Sequence, residues 1–457
     1  MLFVSIPHPA LIPPTKIPSI GLELRLDLFP HIELEAIRAH LKQSAYPTLL
    51  TLRKASQGGK FQGTEREREA LITQLLALQP PFFDLEWDMN PTFLHETIAK
   101  NPKTKFILSY HNFEHTPFGI EQLYSVMRQI PAFSYKIAAF TQSTNDALKM
   151  LLFARENPKV SVICMGERGE FARVLGPVVG NRVGYASLNG EAKTGPGQLS
   201  IAELADIYHY HFLNEHTAIY GLIGDPVDKS RGHLHHNGVF LSRGLNAVYV
   251  KMIVEPQELA EFIPLAKELG IQGLSVTMPL KEKIVPFVNA IELSAQKMGA
   301  INTLRFEKGR IVGTNTDGVG ALDAIEKKGL VRGKKVVLLG AGGAARAIAY
   351  EAMERGATVW VLNRTLLRAE ILAADLGCSV GGLQEVPPDC DVLINCSPDP
   401  MPLSPELILS GKLAMDVVYA PRETQFLQAA LAKGCQVVYG EEMFLNQAAR
   451  QTTFWVG

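Results

Sequence analysis

The chain has 457 residues, 47% of them hydrophobic and 20% charged, with a formal net charge of −1. That length suggests roughly two to four domains, and the near-neutral balance gives no sign of a nucleic-acid or anionic-membrane surface. No apolar run reaches transmembrane length, and the cysteines (Cys164, Cys378, Cys390, Cys396, Cys435) lack CxxC spacing, so neither a disulfide framework nor a metal knuckle is expected. They fit a reducing compartment. The opening MLFVSIPHPALIPPTK has no charged segment ahead of its apolar residues and breaks at prolines. It reads as a first strand, not a signal peptide, and the expected location is the cytoplasm.

Eight short apolar or β-branched runs occur before residue 190: Leu2–Ile6, Leu22–Leu28, Thr48–Arg53, Phe82–Trp87, Lys105–His111, Ser134–Phe140, Val160–Met165 and Val183–Leu188. Most gaps between them hold a helix-period segment, such as Ile32–Lys42, Glu65–Leu78, Gly119–Arg128 and Thr144–Glu156. Strands alternating with helices argue for a parallel sheet, and eight such units argue for a (β/α)₈ TIM barrel.

Catalytic groups of such a barrel belong at the C-terminal ends of its strands, and polar residues collect there. The second run carries Glu23, Arg25 and Asp27, which alternation places on one face. The third ends at Arg53, the fourth holds Glu86, the fifth ends at His111 and the sixth holds Lys136. Arg173 follows the seventh, and Thr194 to Gln198 (TGPGQ) follows the eighth. A buried lysine favours its neutral form, which is a nucleophile toward ketones. A histidine nearby can shuttle protons, and several arginines suit a substrate bearing a carboxylate and hydroxyls. The chemistry expected is Schiff-base formation, proton abstraction beside the iminium and loss of a β-hydroxyl.

ELRLD, TLRKASQGG, DLEW, SYHN, YKIA, MGERGEFARVLG and TGPGQ resemble type I 3-dehydroquinate dehydratase, over about residues 1–212. The resemblance implies Lys136 as the Schiff-base residue and His111 as the general acid/base. It implies Glu23, Arg25, Arg53, Arg173, Thr194 and Gln198 as substrate contacts. Three positions depart from the pattern: Gln57 in place of the glutamate that partners the histidine, Thr194 in place of serine, and Ala172 in place of the serine before Arg173.

Residues Leu199 to Glu215 read as a helix and a short join, and the histidines there and at His233, His235 and His236 lack a ligand set, so no metal is expected. A new module begins at Thr217. Its strands are read at Ala218 onward, Ala247–Ile253 and Gly273–Met278, with a hairpin around Glu307-Lys308-Gly309. Then comes VRGKKVVLLGAGGAARAIAYEAMERGATVWVLNRT (Val331 to Thr365), a βαβ unit with a glycine turn at its helix N-terminus. Such a turn lets backbone approach a pyrophosphate, which the helix N-terminus attracts. An NAD site usually ends its second strand with an acidic residue; here Asn363 and Arg364 stand there, with Arg368 one turn on, and an arginine fork favours a 2′-phosphate. Lys281 and Asp317 each follow a strand end beside Thr277, Asn302 and Thr316, and are the best candidates to hold a ketone oxygen and relay its proton.

YGLIGDPVDKS, GLSVTMPLKEK, GAINTL, GTNTDG, GAGGAARA, NRT and GEEMFLNQAA resemble shikimate dehydrogenase, over about residues 217–457. The resemblance implies Lys281 and Asp317 as the catalytic pair and Ser230, Thr277, Asn302, Tyr419 and Gln447 as substrate contacts. It implies Gly340, Ala341, Gly342, Gly343, Ala344, Asn363, Arg364, Thr365, Arg368 and Gly440 as the NADP(H) site. Here Cys396-Ser397 replaces Ala-Thr, and Gly232 replaces the second serine of a Ser-x-Ser pair. The expected organisation is a barrel at 1–212, a substrate lobe at 217–318 completed by a C-terminal helix at about 440–457, and a Rossmann NADP-binding lobe at 319–439. Together the halves resemble the bifunctional enzymes that dehydrate 3-dehydroquinate and then reduce 3-dehydroshikimate with NADPH. Two alternatives stay open: a dehydrogenase half acting on quinate or another cyclic hydroxy acid, and one half serving only as a ligand-binding module. Small-molecule substrates are expected, with no nucleic-acid or membrane partner.

Overall fold

The computed structural model describes residues 1–12 and 20–457; the expected break at Pro13-Pro14 lies outside the described residues. The chain forms two compact units. One comprises Met1–Ile219, Asn237–Ile253 and Pro264–Gly270, and the other Tyr220–His236, Val254–Ile263 and Ile271–Gly457.

The first unit contains β1 (Leu2–Ile6), β2 (Ile20–Arg25), β3 (Thr48–Thr51), β4 (Phe82–Glu86), β5 (Lys105–Asn112), β6 (Ser134–Phe140), β7 (Val160–Met165) and β8 (Gly184–Ser187). Helices α1 (Leu34–Gln43), α2 (Glu65–Leu76), α3 (Pro91–Lys100), α4 (Ile120–Met127), α5 (Thr144–Glu156) and α6 (Glu170–Leu175) follow β2 to β7 in turn. Their starts are set locally. Thr64 with Glu67 and Ser143 with Asp146 form capping boxes, and Asn90 caps a helix whose first residue is Pro91.

The strands form one parallel sheet of order β7-β6-β5-β4-β3-β2-β1-β8. The barrel is nearly closed, with no β7–β8 ladder among the described residues. Side chains span that seam. Asn181 accepts from the Val162 N–H at 3.2 Å and donates to the Val162 carbonyl at 2.9 Å. The Ser161 hydroxyl accepts from the backbone N–H groups of Arg182 (3.0 Å) and Val183 (3.2 Å). Backbone groups that would otherwise lack ladder partners are thus satisfied.

Strand alternation sorts the barrel interior. Phe3, Leu49, Phe82, Ile107, Ala138, Ile163 and Tyr185 pack as an apolar layer. On the same inward parity, Ser5, Glu23, Arg25, Thr51, Asp84, Glu86, Ser109 and Lys136 are all buried. One expectation is corrected. The second strand ends at Arg25, and Leu26–Leu28 turn into a 3₁₀ segment. Asp27 therefore does not continue the face of Glu23 and Arg25; it folds back onto the Arg25 guanidinium.

The later strands are β9 (Ala218–Gly224), β10 (Ala247–Ile253), β11 (Ile271–Val276), β12 (Ala290–Ile291), β13 (Thr303–Glu307) and β14 (Arg310–Thr314), with helices α7 (Gly232–Ser242), α8 (Leu259–Leu269), α9 (Leu280–Lys283), α10 (Leu293–Met298) and α11 (Asp317–Glu326). In the second unit β9-β11-β13-β14-β12 are successive neighbours in one sheet. The β13–β14 hairpin turns at Lys308 (φ 48°) and Gly309 (φ 80°), the left-handed pair that matches strand twist.

The nucleotide sheet follows as β15 (Lys335–Leu339), β16 (Thr358–Leu362), β17 (Ser379–Gly381), β18 (Val392–Asn395), β19 (Leu413–Asp416) and β20 (Gln436–Val438). It is parallel, in the order β17-β16-β15-β18-β19-β20. The order reverses beside β15, the switch point at which such Rossmann sheets bind ligands. Helices α12 (Gly343–Glu354), α13 (Leu366–Leu376), α14 (Gln425–Ala432) and α15 (Gly440–Val456) complete it. Helix α15 returns to the preceding sheet. Gln451 accepts from Ser275 (2.9 Å) and donates to Thr303 (3.0 Å), and the Trp455 indole donates to the Leu304 carbonyl at 2.9 Å. Among the described residues no helix is long and apolar enough to cross a membrane.

Candidate active sites

In the barrel, Lys136 Nζ donates to Asp84 Oδ2 at 2.7 Å and lies 4.5 Å from the centre of the Tyr185 ring. Burial lowers the Lys136 pKa, Asp84 pulls against that, and Arg53 adds to the lowering; the net direction is down. Burial acts to raise Asp84, but the cations of Arg53 and Lys136 hold it at about 2. Arg53 Nη1 donates to Ser109 Oγ at 2.7 Å and lies 3.1 Å from Asp84 Oδ1 and 3.1 Å from His111 Nδ1. The Ser109 hydroxyl donates to Asp84 at 2.6 Å. Half-buried His111 is held well below its ordinary pKa by desolvation, then by Arg53, Lys136 and Arg25. Its Nε2 has no hydrogen-bond partner among the described residues. The result is a depressed amine beside a neutral imidazole, which suits addition to a ketone followed by proton transfer.

The expected substrate contacts fall into two groups. Glu23 is already satisfied, accepting from Ser5 (2.6 Å) and Thr51 (2.9 Å), and Arg25 is forked onto Asp27 at 3.0 and 2.8 Å. Arg173, on α6, donates to the Pro196 carbonyl at 2.7 Å while its buried Nε has no partner. Burial lowers this guanidinium to about 10, with Cys164 and Glu170 pulling the other way, an environment that favours an anion. Thr194 donates to Gln198 Oε1 at 3.2 Å, and Gln198 Nε2 donates to Ser5 at 3.4 Å. The TGPGQ segment is thereby tied to Arg173, β1 and Glu23. Asp84, Ser109 and Tyr185 were not singled out from sequence. Asp84 shares the inward parity of Glu86 and Ser109 that of His111, which could have marked both; Tyr185 carries no such signal.

In the second unit, Lys281 Nζ donates to Asp317 Oδ2. Asn302 Nδ2 donates to the other carboxylate oxygen at 2.8 Å, and Asn302 Oδ1 accepts from the Thr316 N–H at 2.9 Å. Thr316 Oγ1 donates to Gln447 Oε1 on α15 at 3.3 Å. Three elements distant in sequence thus meet at one carboxylate. Thr277 ends β11. Ser230 Oγ accepts from the Gly232 N–H at 3.2 Å, and Tyr419 OH donates to the Lys229 carbonyl at 3.3 Å, which places Tyr419 against the Ser230 turn.

The glycine turn lies alongside. Gly340 has φ 119°, and its missing Cβ faces the Cys396 backbone at 3.3 Å. A Cβ on Gly343 would sit 3.3 Å from Lys281 Cδ, so the turn packs on the stem of the lysine. Ala341 lies in the turn and Ala344 in the first turn of α12, whose cap residue, Gly342, offers no side-chain acceptor. The first N–H groups of the helix are left for an anion. Asn363 donates to the Thr365 carbonyl at 2.8 Å, and Thr365 is the cap residue of α13. Arg364 and Arg368 are exposed and make no ion pair among the described residues. Gly440 starts α15 where a Cβ would lie 2.6 Å from the Val418 carbonyl oxygen. These residues fit a dinucleotide carrying an additional phosphate.

The two sites define two enzyme classes on one chain: a lyase in a parallel barrel and a nucleotide-dependent oxidoreductase. Family models agree. Residues 19–215 match type I 3-dehydroquinase, residues 222–304 the shikimate dehydrogenase substrate binding domain, and residues 323–421 shikimate / quinate 5-dehydrogenase. The chain is 35% identical to a shikimate biosynthesis protein AroDE of Chlamydia pneumoniae, over 95% of this chain and 89% of that one. It is 32% identical to the chloroplastic bifunctional 3-dehydroquinate dehydratase/shikimate dehydrogenase of Arabidopsis thaliana, over 95% and 77%. A crystal structure of a shikimate dehydrogenase in complex with NADP⁺ superposes with a TM-score of 0.52 at 36% identity, covering 54% of this chain and 92% of that one. The chain belongs to the bifunctional 3-dehydroquinate dehydratase/shikimate dehydrogenase family.

Proposed function

We propose that Lys136 forms a Schiff base with the ketone of 3-dehydroquinate and that His111 moves the protons of its dehydration. The neutral amine adds to the carbonyl carbon, and water leaves to give an iminium. His111 Nε2 removes a proton from the adjacent carbon, the electron pair forms an enamine, and the β-hydroxyl departs as water with the proton that His111 returns. Hydrolysis releases 3-dehydroshikimate and restores Lys136. Arg173 and the TGPGQ segment, Thr194 to Gln198, hold the carboxylate, while Arg25, Arg53 and Glu23 orient the hydroxyls. The single observation that carries this reading is a lysine of lowered pKa at 2.7 Å from an ionised aspartate on a barrel floor.

The second unit reduces 3-dehydroshikimate to shikimate. Bound NADPH supplies the reducing equivalent. Lys281 and Asp317 hold the ketone oxygen and deliver its proton, Asn302 fixes the Asp317 carboxylate, and Ser230, Thr277, Tyr419 and Gln447 bind the rest of the ring. The uncapped α12 N-terminus, with Gly340 to Ala344, takes the pyrophosphate, and Asn363 to Arg368 take the 2′-phosphate. We assign residues 1–212 to the dehydratase. Residues 217–318 with α15 form the substrate lobe and 319–439 the nucleotide lobe; the bonds from Gln451 and Trp455 to the strands of that lobe support the assignment. All five cysteines are unpaired, which supports a reducing compartment such as the cytoplasm. A coupled assay tests the whole: 3-dehydroquinate plus NADPH should yield shikimate, and failure to consume NADPH while 3-dehydroshikimate accumulates would refute the second half alone.

A further inference from the structure

The amide of Gln57 is clamped at both ends. Its Nε2 donates to Asp88 Oδ1 at 2.8 Å. Its Oε1 accepts the backbone N–H of His111 at 3.1 Å and lies 3.1 Å from Nδ1 of the same residue. A carboxylate only accepts and a backbone N–H only donates, so the amide has one orientation. Its oxygen faces the imidazole. The other Asp88 oxygen accepts from Lys54 Nζ at 2.6 Å. Asp88 makes no hydrogen bond to His111, Arg53 or Lys136.

Two neighbours compete at His111 Nδ1. Arg53 Nη1, 3.1 Å away, can only donate and so favours a bare nitrogen. Gln57 Oε1 can only accept and so favours Nδ1–H. Arg53 Nη1 has other acceptors for its two hydrogens, Ser109 Oγ at 2.7 Å and Asp84 Oδ1 at 3.1 Å. Among the described residues the Gln57 oxygen has no other side chain to accept from, and Asp88, together with the His111 backbone N–H, keeps the amide from turning its NH₂ inward. We infer that Asp88 is a positioning residue that acts through Gln57 to keep the proton of neutral His111 on Nδ1, leaving Nε2 as the base that faces substrate. The inference rests on the dehydratase reading above.

The charged groups acting on the imidazole are Arg53 after β3, Lys136 from β6 and Arg25 from β2; the β4 carboxylates Asp84 and Glu86 face Arg53. Ser109, on its own strand, is neutral. The cations keep the ring neutral, and an uncharged acceptor at position 57 orients it without reversing that preference. A carboxylate there would do both: accept from Nδ1 through either oxygen, and stabilise the imidazolium.

A double-mutant cycle separates these roles. Asp88→Ala in the full-length chain should lower dehydratase kcat about tenfold, with KM changed less than about threefold. NADPH-dependent reduction by the same protein should be unchanged, which reports that the chain is folded. Gln57→Glu should move the acid limb of the kcat/KM–pH profile upward. In that background Asp88→Ala should cost nothing, because a carboxylate needs no clamp to present an acceptor. Equal loss from Asp88→Ala in both backgrounds, or none in the Gln57 background, overturns the inference. The dehydratase reading fails differently: the unaltered protein would show no borohydride-trapped adduct on Lys136.

Discussion

Lys136 Nζ stands 2.7 Å from Asp84 Oδ2, with the two side chains only 4% and 1% exposed. Burial and Arg53 destabilise an ammonium there and the carboxylate stabilises it, with the net direction of the Lys136 pKa downward. Replacing Lys136 by Ala should abolish the borohydride-trapped adduct and lower dehydration by on the order of 10³-fold or more. NADPH-dependent reduction of 3-dehydroshikimate should be untouched. Dehydration at the original rate would eliminate the covalent mechanism.

Asp84→Asn removes one charge and leaves Arg53 and Lys136 buried without it. A broken buried pair costs about 3–5 kcal/mol, so the thermal transition of the dehydratase half should fall. The Coulombic support for the ammonium also goes. The pH at which Lys136 becomes reactive should therefore move down, measurable as adduct yield against pH. An unchanged or upward-shifted yield curve would contradict the pairing.

At the second site, Lys281→Ala and Asp317→Asn should each lower kcat for 3-dehydroshikimate reduction by about 10²-fold or more. Dehydration should be intact in both proteins. Asn302→Ala should act through Asp317 and produce a smaller loss, about tenfold, since it removes one hydrogen bond to a charged group. Steady-state rates with each substrate distinguish the three.

Arg364→Ala with Arg368→Ala should raise KM for NADPH by about tenfold or more, the loss expected for charge-assisted bonds to a phosphate. KM for NADH should change little. Equal effects on both nucleotides would remove the 2′-phosphate from the assignment.

His236 is buried on α7, with Nδ1 3.1 Å from Thr452 Oγ1 on α15. Burial, then the adjacent His235, lowers its pKa to about 3. Because the folded value lies below the ordinary ~6.5, the unfolded chain binds more protons between the two. Stability from this site is complete above about pH 6.5 and is lost as pH falls toward about 3, by at most about 1.4 kcal/mol per pH unit. Urea titrations at pH 7 and pH 5 should show that slope, and His236→Gln should flatten it.

Much of this architecture is legible in the residue order, because its determinants are local. Period-two runs, capping boxes at Thr64 and Ser143, and a glycine turn between β15 and α12 depend on neighbours within a few positions. So the eight-stranded barrel, the Rossmann sheet and their reactive residue types could be read without coordinates. Boundaries were less secure: the second strand stops at Arg25 because Asp27 turns back to bind its guanidinium, a pairing that alternation alone does not reveal. The tertiary structure decided what each polar group faces. Asp84 reaches Lys136 across 52 positions, Gln57 turns its oxygen to His111 because Asp88 takes its nitrogen, and Gly343 leaves room for the stem of Lys281. Such partnerships follow from which strands lie side by side and which way each side chain points. Hydrogen bonds act over about 3 Å, so they belong to the packed molecule and have no signature in the spacing of the chain.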